Sequence, residues 1–220
     1  MKTKYTHISI LLDRTGSMES IRDDVIGGFN TFLEAQQQVE GKSTLTLVQF
    51  DTQDPYEVVH RMKPISEVSK LDHNTYVPRA ATPLLDAMGR GINDLEKSIS
   101  ELKKEKRPEK VVMVIITDGQ ENSSVEFKKD QIVKMIKQKQ DEYDWQFVFL
   151  SADLNAIADA GDMGFHGHAT MAFDKTGKGV ADALLSVSAR ISDFRRDQKN
   201  RFEFENEDRK KQKSEGKSKT

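Results

Sequence analysis

The sequence predicts an α/β protein: a Rossmann-like, doubly wound, mostly parallel sheet with helices on both faces and one antiparallel edge strand. Three observations predict it. Short runs that are apolar on both faces recur along the chain, as strands buried inside a parallel sheet require. Between them lie segments whose apolar residues fall on one stripe of a 3.6-residue helix. One pair of strand-like runs is separated by only five residues, too few to hold a helix, so that pair is a hairpin.

In chain order, His7–Leu12 (HISILL) is the first buried strand. Ile21, Val25, Ile26, Phe29, Phe32 and Leu33 then share a helical stripe. Gly27-Gly28 costs that helix stability, and close packing of the helix on the sheet is the expected reason. Thr44–Phe50 (TLTLVQF) and Tyr56–Arg61 (YEVVHR) flank DTQDP, so Tyr56–Arg61 is placed antiparallel at the sheet edge. Leu84, Leu85, Met88, Ile92, Leu95, Ile99 and Leu102 form a longer stripe, with Pro83 suited to its first position and Thr82 to its N-cap. Val111–Thr117 (VVMVIIT) and Trp145–Ser151 (WQFVFLS) are the other two buried strands, with a short helix around Phe127, Ile132, Val133 and Ile136 between them. Ala169–Phe173 reads as a last short strand, and Val180, Ala183, Leu184, Val187, Ile191 and Phe194 as a last helix. Strands alternating with helices give a doubly wound sheet.

Composition narrows the function. The 220 residues suffice for one sizeable core, and 36% hydrophobic with 32% charged residues is a soluble globular balance. A net charge of −2 gives no nucleic-acid signature. With no cysteine, disulfides, zinc–thiolate sites and thiol nucleophiles are excluded. No apolar run approaches the roughly 18 residues of a membrane helix. The run Ile8–Leu12 behind Lys2 and Lys4 is too short for a secretory leader, so a cytoplasmic protein is expected. Residues 1–195 read as one domain and 196–220 as a charged tail. From Arg195 to Thr220 there are ten Lys/Arg and six Asp/Glu, with only Phe202 and Phe204 as large apolar side chains. That is too little burial to offset ordering entropy, so the tail is expected to be disordered and dispensable beyond Phe204.

The chemistry gathers after the buried strands. The first ends in Asp13-Arg14-Thr15-Gly16-Ser17-Met18: an acid and two hydroxyls at alternate positions, with Gly16 expected to let the backbone turn sharply. In a parallel sheet, ligands bind at the C-terminal strand ends. Val111–Thr117 runs into Asp118-Gly119, a second carboxylate at that end, and Thr82 opens a helix facing it. Oxygen-only ligands with few carboxylates suit a hard cation such as Mg²⁺, Mn²⁺ or Ca²⁺. Two carboxylates in one crevice also call for a cation or proton between them. Asp51, Asp54 and Asp72 read as loop acids, and His73, His166 and His168 as separate, solvated loop histidines.

DRTGSM after a buried strand, ATPLLDAM opening a helix and VIITDG ending a strand together resemble the von Willebrand factor A domain family over roughly residues 5 to 190. That family carries a metal-ion-dependent adhesion site written D-x-S-x-S, then a distant T, then a distant D. The resemblance implies Asp13, Thr15, Ser17, Thr82 and Asp118 as the metal set, with Thr15 standing where serine is usual. It further implies hydroxyls that ligate directly and a sixth position left for a partner's Asp or Glu carboxylate. The function implied is an intracellular protein-binding module, not an enzyme. Members in bacterial and phage genomes often work beside an ATPase or in stress-response or chelatase assemblies.

A second reading is enzymatic. DRTGS also resembles the D-K-T-G-T motif of haloacid dehalogenase-like phosphotransferases, in which Asp13 would be the nucleophile. Against it, Thr82 opens a helix where that family needs a strand end, and Asp118 lacks a second acid beside it.

Overall fold

The computed structural model describes residues 5–213. Six strands, β1 (Thr6–Asp13), β2 (Ser43–Phe50), β3 (Glu57–Pro64), β4 (Lys110–Thr117), β5 (Gln146–Ser151) and β6 (Thr170–Ala172), form one sheet in the order β3-β2-β1-β4-β5-β6. All neighbours pair in parallel except β2 and β3, which are antiparallel. This is the mostly parallel sheet with one antiparallel edge strand that the hairpin spacing required. The helices are α1 (Arg22–Gln37), α2 (Leu84–Ser100), α3 (Lys129–Tyr143), α4 (Leu154–Asp162), α5 (Gly177–Arg195) and α6 (Asn206–Lys213). None among the described residues is long and apolar enough to cross a membrane.

Alternation along each strand feeds two cores. Ile8, Ile10 and Leu12 of β1, Val112, Val114 and Ile116 of β4, and Val148 and Leu150 of β5 pack with Val25, Phe29 and Phe32 of α1 and Leu184, Val187 and Ile191 of α5. On the opposite face Leu11, Met113, Ile115, Phe147 and Phe149 pack with Leu84, Met88 and Ile92 of α2 and Ile132 and Ile136 of α3. His7 lies wholly buried within β1, its Nδ1 2.8 Å from the Thr44 hydroxyl, and burial pulls its pKa down to about 3.

Several expectations need correction. Gly28 serves close packing, but against α5 and not the sheet: a Cβ there would meet Leu184 Cδ1 at 2.5 Å, whereas a Cβ on exposed Gly27 would meet nothing within 4 Å. Thr82 is not an N-cap. The N-cap position of α2 is Pro83 (φ −88°, ψ 62°) and has no side-chain cap. Gly16 does not adopt a left-handed turn; it opens a 3₁₀ turn, Gly16–Ile21, with its N–H on the Ala80 carbonyl at 3.0 Å. His166 and His168 are not separate: their rings stack with centroids 5.1 Å apart.

The segment after Arg195, expected to be disordered, is packed as far as it is described. Phe202 is fully buried and Phe204 nearly so in the α1/α5 core, their rings meeting edge to face at 4.9 Å. Its charges find partners that sequence does not reveal: Arg190 of α5 pairs with Glu205 at 2.8 Å and Asp208 at 3.3 Å. Gln212 accepts from Asp174 N–H and donates to the Gly179 carbonyl. Residues 214–220 of that tail lie outside the described residues. The segment also covers one margin of the sheet, where the Arg209 guanidinium donates to the carbonyls of Thr170 and Gly167, both at 2.8 Å. At the other margin, Met62 of β3 sits at φ 42° beside shifts in the β2–β3 register.

Candidate metal centre

The strand order places a topological switch between β1 and β4. Chain leaving β1 builds α1 on one face of the sheet; chain leaving β4 builds α3 on the other. The two connections diverge and open a crevice at the C-terminal ends of these strands. Asp13 ends β1 on one side of the crevice, and Asp118 follows β4 on the other.

Asp13 is fully buried and both of its oxygens accept hydrogen bonds: Oδ1 from the Thr15 N–H at 2.7 Å, Oδ2 from the Thr117 hydroxyl at 2.6 Å. Burial pushes its carboxyl up to about 6 against those bonds, with the nearby charge of Asp118 adding to the rise. Tyr76, also fully buried, donates to the Asp13 carbonyl at 2.7 Å, which fixes the end of the strand from below. Thr15 is buried and Ser17 exposed, their hydroxyl oxygens 3.2 Å apart. Ser17 donates to Asp118 Oδ1 at 2.6 Å. The Lys175 ammonium lies 2.6 Å from Asp118 Oδ2, an ion pair without the alignment of a hydrogen bond.

Of the five residues expected to hold a metal, Asp13, Thr15, Ser17 and Asp118 are thus linked into one chain of contacts. Thr82 reaches the same end of the sheet through its backbone. Its N–H donates to Asn122 Oδ1 at 2.9 Å, and its carbonyl accepts from Asn122 N–H at 3.2 Å. The preceding residues bond the other way, to the Asp13–Ser17 loop, through Gly16 N–H to Ala80 O and Arg79 N–H to Arg14 O. Ala80 holds a left-handed φ of 60° in that bridge, a strained conformation for a residue with a Cβ.

Three sets of residues that sequence reasoning passed over hold these loops. Asp51 is no solvated loop acid: it is fully buried, accepts from Arg14 at 2.9 Å and from Arg79 at 3.0 Å, and Arg14 also pairs with Glu57. Burial would raise the Asp51 carboxyl, but the backbone N–H groups of Asp54 and Gln53 and the two guanidiniums outweigh it and hold the carboxyl low. Asp86 of α2 accepts from the N–H groups of Val125, Glu126 and Phe127, and Glu121 accepts from Leu85, Ser123 and Ser124, tying the loop after β4 to the start of α2. Lys175 is the third. An acid-to-base ion pair across 57 positions leaves no periodic signal in sequence.

A divalent cation fits this donor set. Octahedral coordination at about 2.1 Å puts neighbouring ligand oxygens about 3 Å apart. The Thr15–Ser17 and Ser17–Asp118 oxygen separations of 3.2 and 2.6 Å bracket that value. The position of Lys175 shows that positive charge is accommodated against Asp118. Among the described residues no group of three or more His, Asp or Glu side chains converges elsewhere as an alternative metal site.

No family model matches the chain, and no curated protein matches it by sequence. Solved structures do match its fold. Proximal thread matrix protein 1 from the mussel byssus, solved with a zinc-occupied MIDAS motif, superposes over 86% of this chain and 46% of its own with a TM-score of 0.59 at 10% identity. A von Willebrand factor type A protein from Catenulispora acidiphila matches over 85% of this chain and 42% of its own, with a TM-score of 0.55 at 11% identity. The SpRpn10 VWA domain matches over 82% of this chain and 93% of its own, with a TM-score of 0.53 at 10% identity. The chain therefore spans under half the length of the first two and nearly all of the third. With a six-stranded sheet of this order, helices on both faces and these structural neighbours, the chain has the fold of a von Willebrand factor A domain.

Proposed function

We propose that this chain is a metal-dependent protein-binding module of the cytoplasm, which holds an Asp or Glu carboxylate of a protein partner through a divalent cation. Mg²⁺ is the first choice of ion, with Mn²⁺ and Ca²⁺ also suited to the oxygens. The observation that carries the reading is the convergence of the Thr15, Ser17 and Asp118 oxygens, above buried Asp13, in the switch-point crevice. Asp13, Thr15, Ser17, Thr82 and Asp118 would hold the ion, directly or through water. The cation supplies a Lewis-acidic bridge to an outside carboxylate.

The chain's own residues do the rest. Thr117 and Thr15 N–H orient Asp13; Ser17 orients Asp118; the Asn122 clamp sets Thr82 between them. Neutral hydroxyls leave much of the ion's charge uncompensated, so an anionic partner gains most at this site. Three of the large apolar side chains most exposed on the molecule, Val77 (42%), Val125 (95%) and Leu154 (73%), lie on loops or a helix start around this end of the sheet, as a partner surface needs. The buried, doubly bonded Asp13 carboxylate favours binding over the phosphotransferase alternative, which requires an open nucleophile.

Titration calorimetry of Mg²⁺ and Mn²⁺ into wild type, Asp13→Ala and Ser17→Ala tests this, followed by an acidic peptide with and without EDTA. Asp13→Ala should abolish metal and peptide binding while circular dichroism stays unchanged, and Ser17→Ala should weaken both by less. The two affinities should rise together, because coupling between ligands is reciprocal. Equal metal binding by wild type and Asp13→Ala, or peptide binding indifferent to EDTA, would sink the reading.

A further inference from the structure

We propose that Lys175 is a tethered counter-ion of the metal centre, which holds Asp118 until a divalent cation displaces it and so sets how much metal the site requires. The inference rests on the metal-site reading above and adds a residue to it that the metal motif does not contain. Its basis is the ammonium 2.6 Å from Oδ2 of a carboxylate whose side chain is fully buried. Asp118 Oδ1 is already taken by the Ser17 hydroxyl, so Lys175 covers the oxygen that remains.

Electrostatics explain why a cation belongs there. Asp13 and Asp118 face one crevice, and two buried carboxylates repel unless positive charge or a proton intervenes. Lys175 supplies that charge from within the chain. An ammonium at this distance and a divalent ion on the same carboxylate repel strongly, so the two occupy the site in alternation.

The tether is built for that alternation. Lys175 lies between β6 and α5, on a short connection anchored at both ends. Phe173 N–H donates to the Ser151 carbonyl at 3.0 Å, Asp174 N–H to Gln212 at 3.2 Å, and the Thr176 hydroxyl accepts from Gly179 N–H at 3.1 Å as the N-cap of α5. The backbone stays put while the flexible four-carbon stem, 39% exposed, swings its charge out to solvent. Once displaced, the ammonium remains at the mouth of the crevice, where it favours an acidic partner over a basic one.

Metal affinity falls by the fraction of molecules in which Lys175 holds the carboxylate. A partly exposed ion pair of ordinary strength converts to roughly three- to tenfold. The test compares wild type, Lys175→Met and Lys175→Arg by Mn²⁺ calorimetry, and by melting temperature in EDTA and in saturating Mn²⁺. Lys175→Met should bind Mn²⁺ roughly three- to tenfold more tightly. It should also melt lower than wild type in EDTA and gain more from Mn²⁺. Lys175→Arg, which keeps the charge, should stay near wild type in both. If wild type binds Mn²⁺ and Lys175→Met binds it equally or more weakly, the counter-ion role is wrong. If neither protein binds Mn²⁺, the metal-site reading fails and takes this one with it.

Discussion

At the scale of single residues, burial decides which side chains carry consequence. His7 is the clearest case. Its folded pKa, near 3, lies below the ordinary value of 6.5, so the unfolded chain takes up the proton first as pH falls. The stability that neutral His7 contributes is therefore complete above about pH 6.5 and is lost progressively toward pH 3. Between pH 7 and pH 5 it amounts to about 2 kcal/mol. Urea unfolding at both pH values should show wild type losing more than His7→Gln by about that amount; equal losses would refute it. Residue reasoning read Asp13, Thr15, Ser17 and Asp118 from sequence because acids and hydroxyls directly after apolar strands have few structural uses. It missed Thr117, Tyr76, Asn122 and Lys175, which support or neutralise the centre from distant positions. Each is a common residue type in an unremarkable local pattern, made important only by the fold.

At the scale of elements, adjacent glycines in α1 have opposite meanings. Gly27 faces open space, so Gly27→Ala should stabilise by about 0.5–1 kcal/mol through helix propensity. Gly28 lies against Leu184 of α5, so Gly28→Ala should force those helices apart and destabilise, typically by 1–3 kcal/mol. Chemical denaturation of both variants checks the pair, and a Gly28→Ala protein as stable as Gly27→Ala would show that the contact yields. The buried strands were legible because both faces of each are apolar, and α1, α2 and α5 because their stripes are wide. The α4 helix was not: LNAIADAGD has only short apolar side chains at its two buried positions, Ala156 and Ala160. Neither was α6, whose face toward the protein is Asp208 and Gln212, polar side chains that pair with α5 and the loop before it. The start of α2 was misread at Thr82 because Asn122, from another loop, takes the backbone group that a capping residue would serve.

At the scale of the molecule, the last described segment belongs to the core. Ending the chain after Gln198 removes Phe202 and Phe204, each contributing about 1.5–3 kcal/mol by burial. The truncated protein should lose roughly 3 kcal/mol or more, about 6–12 °C in melting temperature. An unchanged melting curve would mean that the segment docks without stabilising. The same truncation strips Arg209 from the carbonyls of Thr170 and Gly167. Unpaired backbone groups along a sheet margin are a template on which another chain can add a strand. In the intact protein both margins are spoiled for that purpose, one by the guanidinium and the other by the kink at Met62 beside Arg61, Lys63 and Pro64. The charged C-terminal segment is therefore a guard against self-association as much as a source of stability. Held well below its own melting temperature, the shortened chain should form thioflavin-positive aggregates that grow from the β6 side, and wild type at matched distance from its own should not.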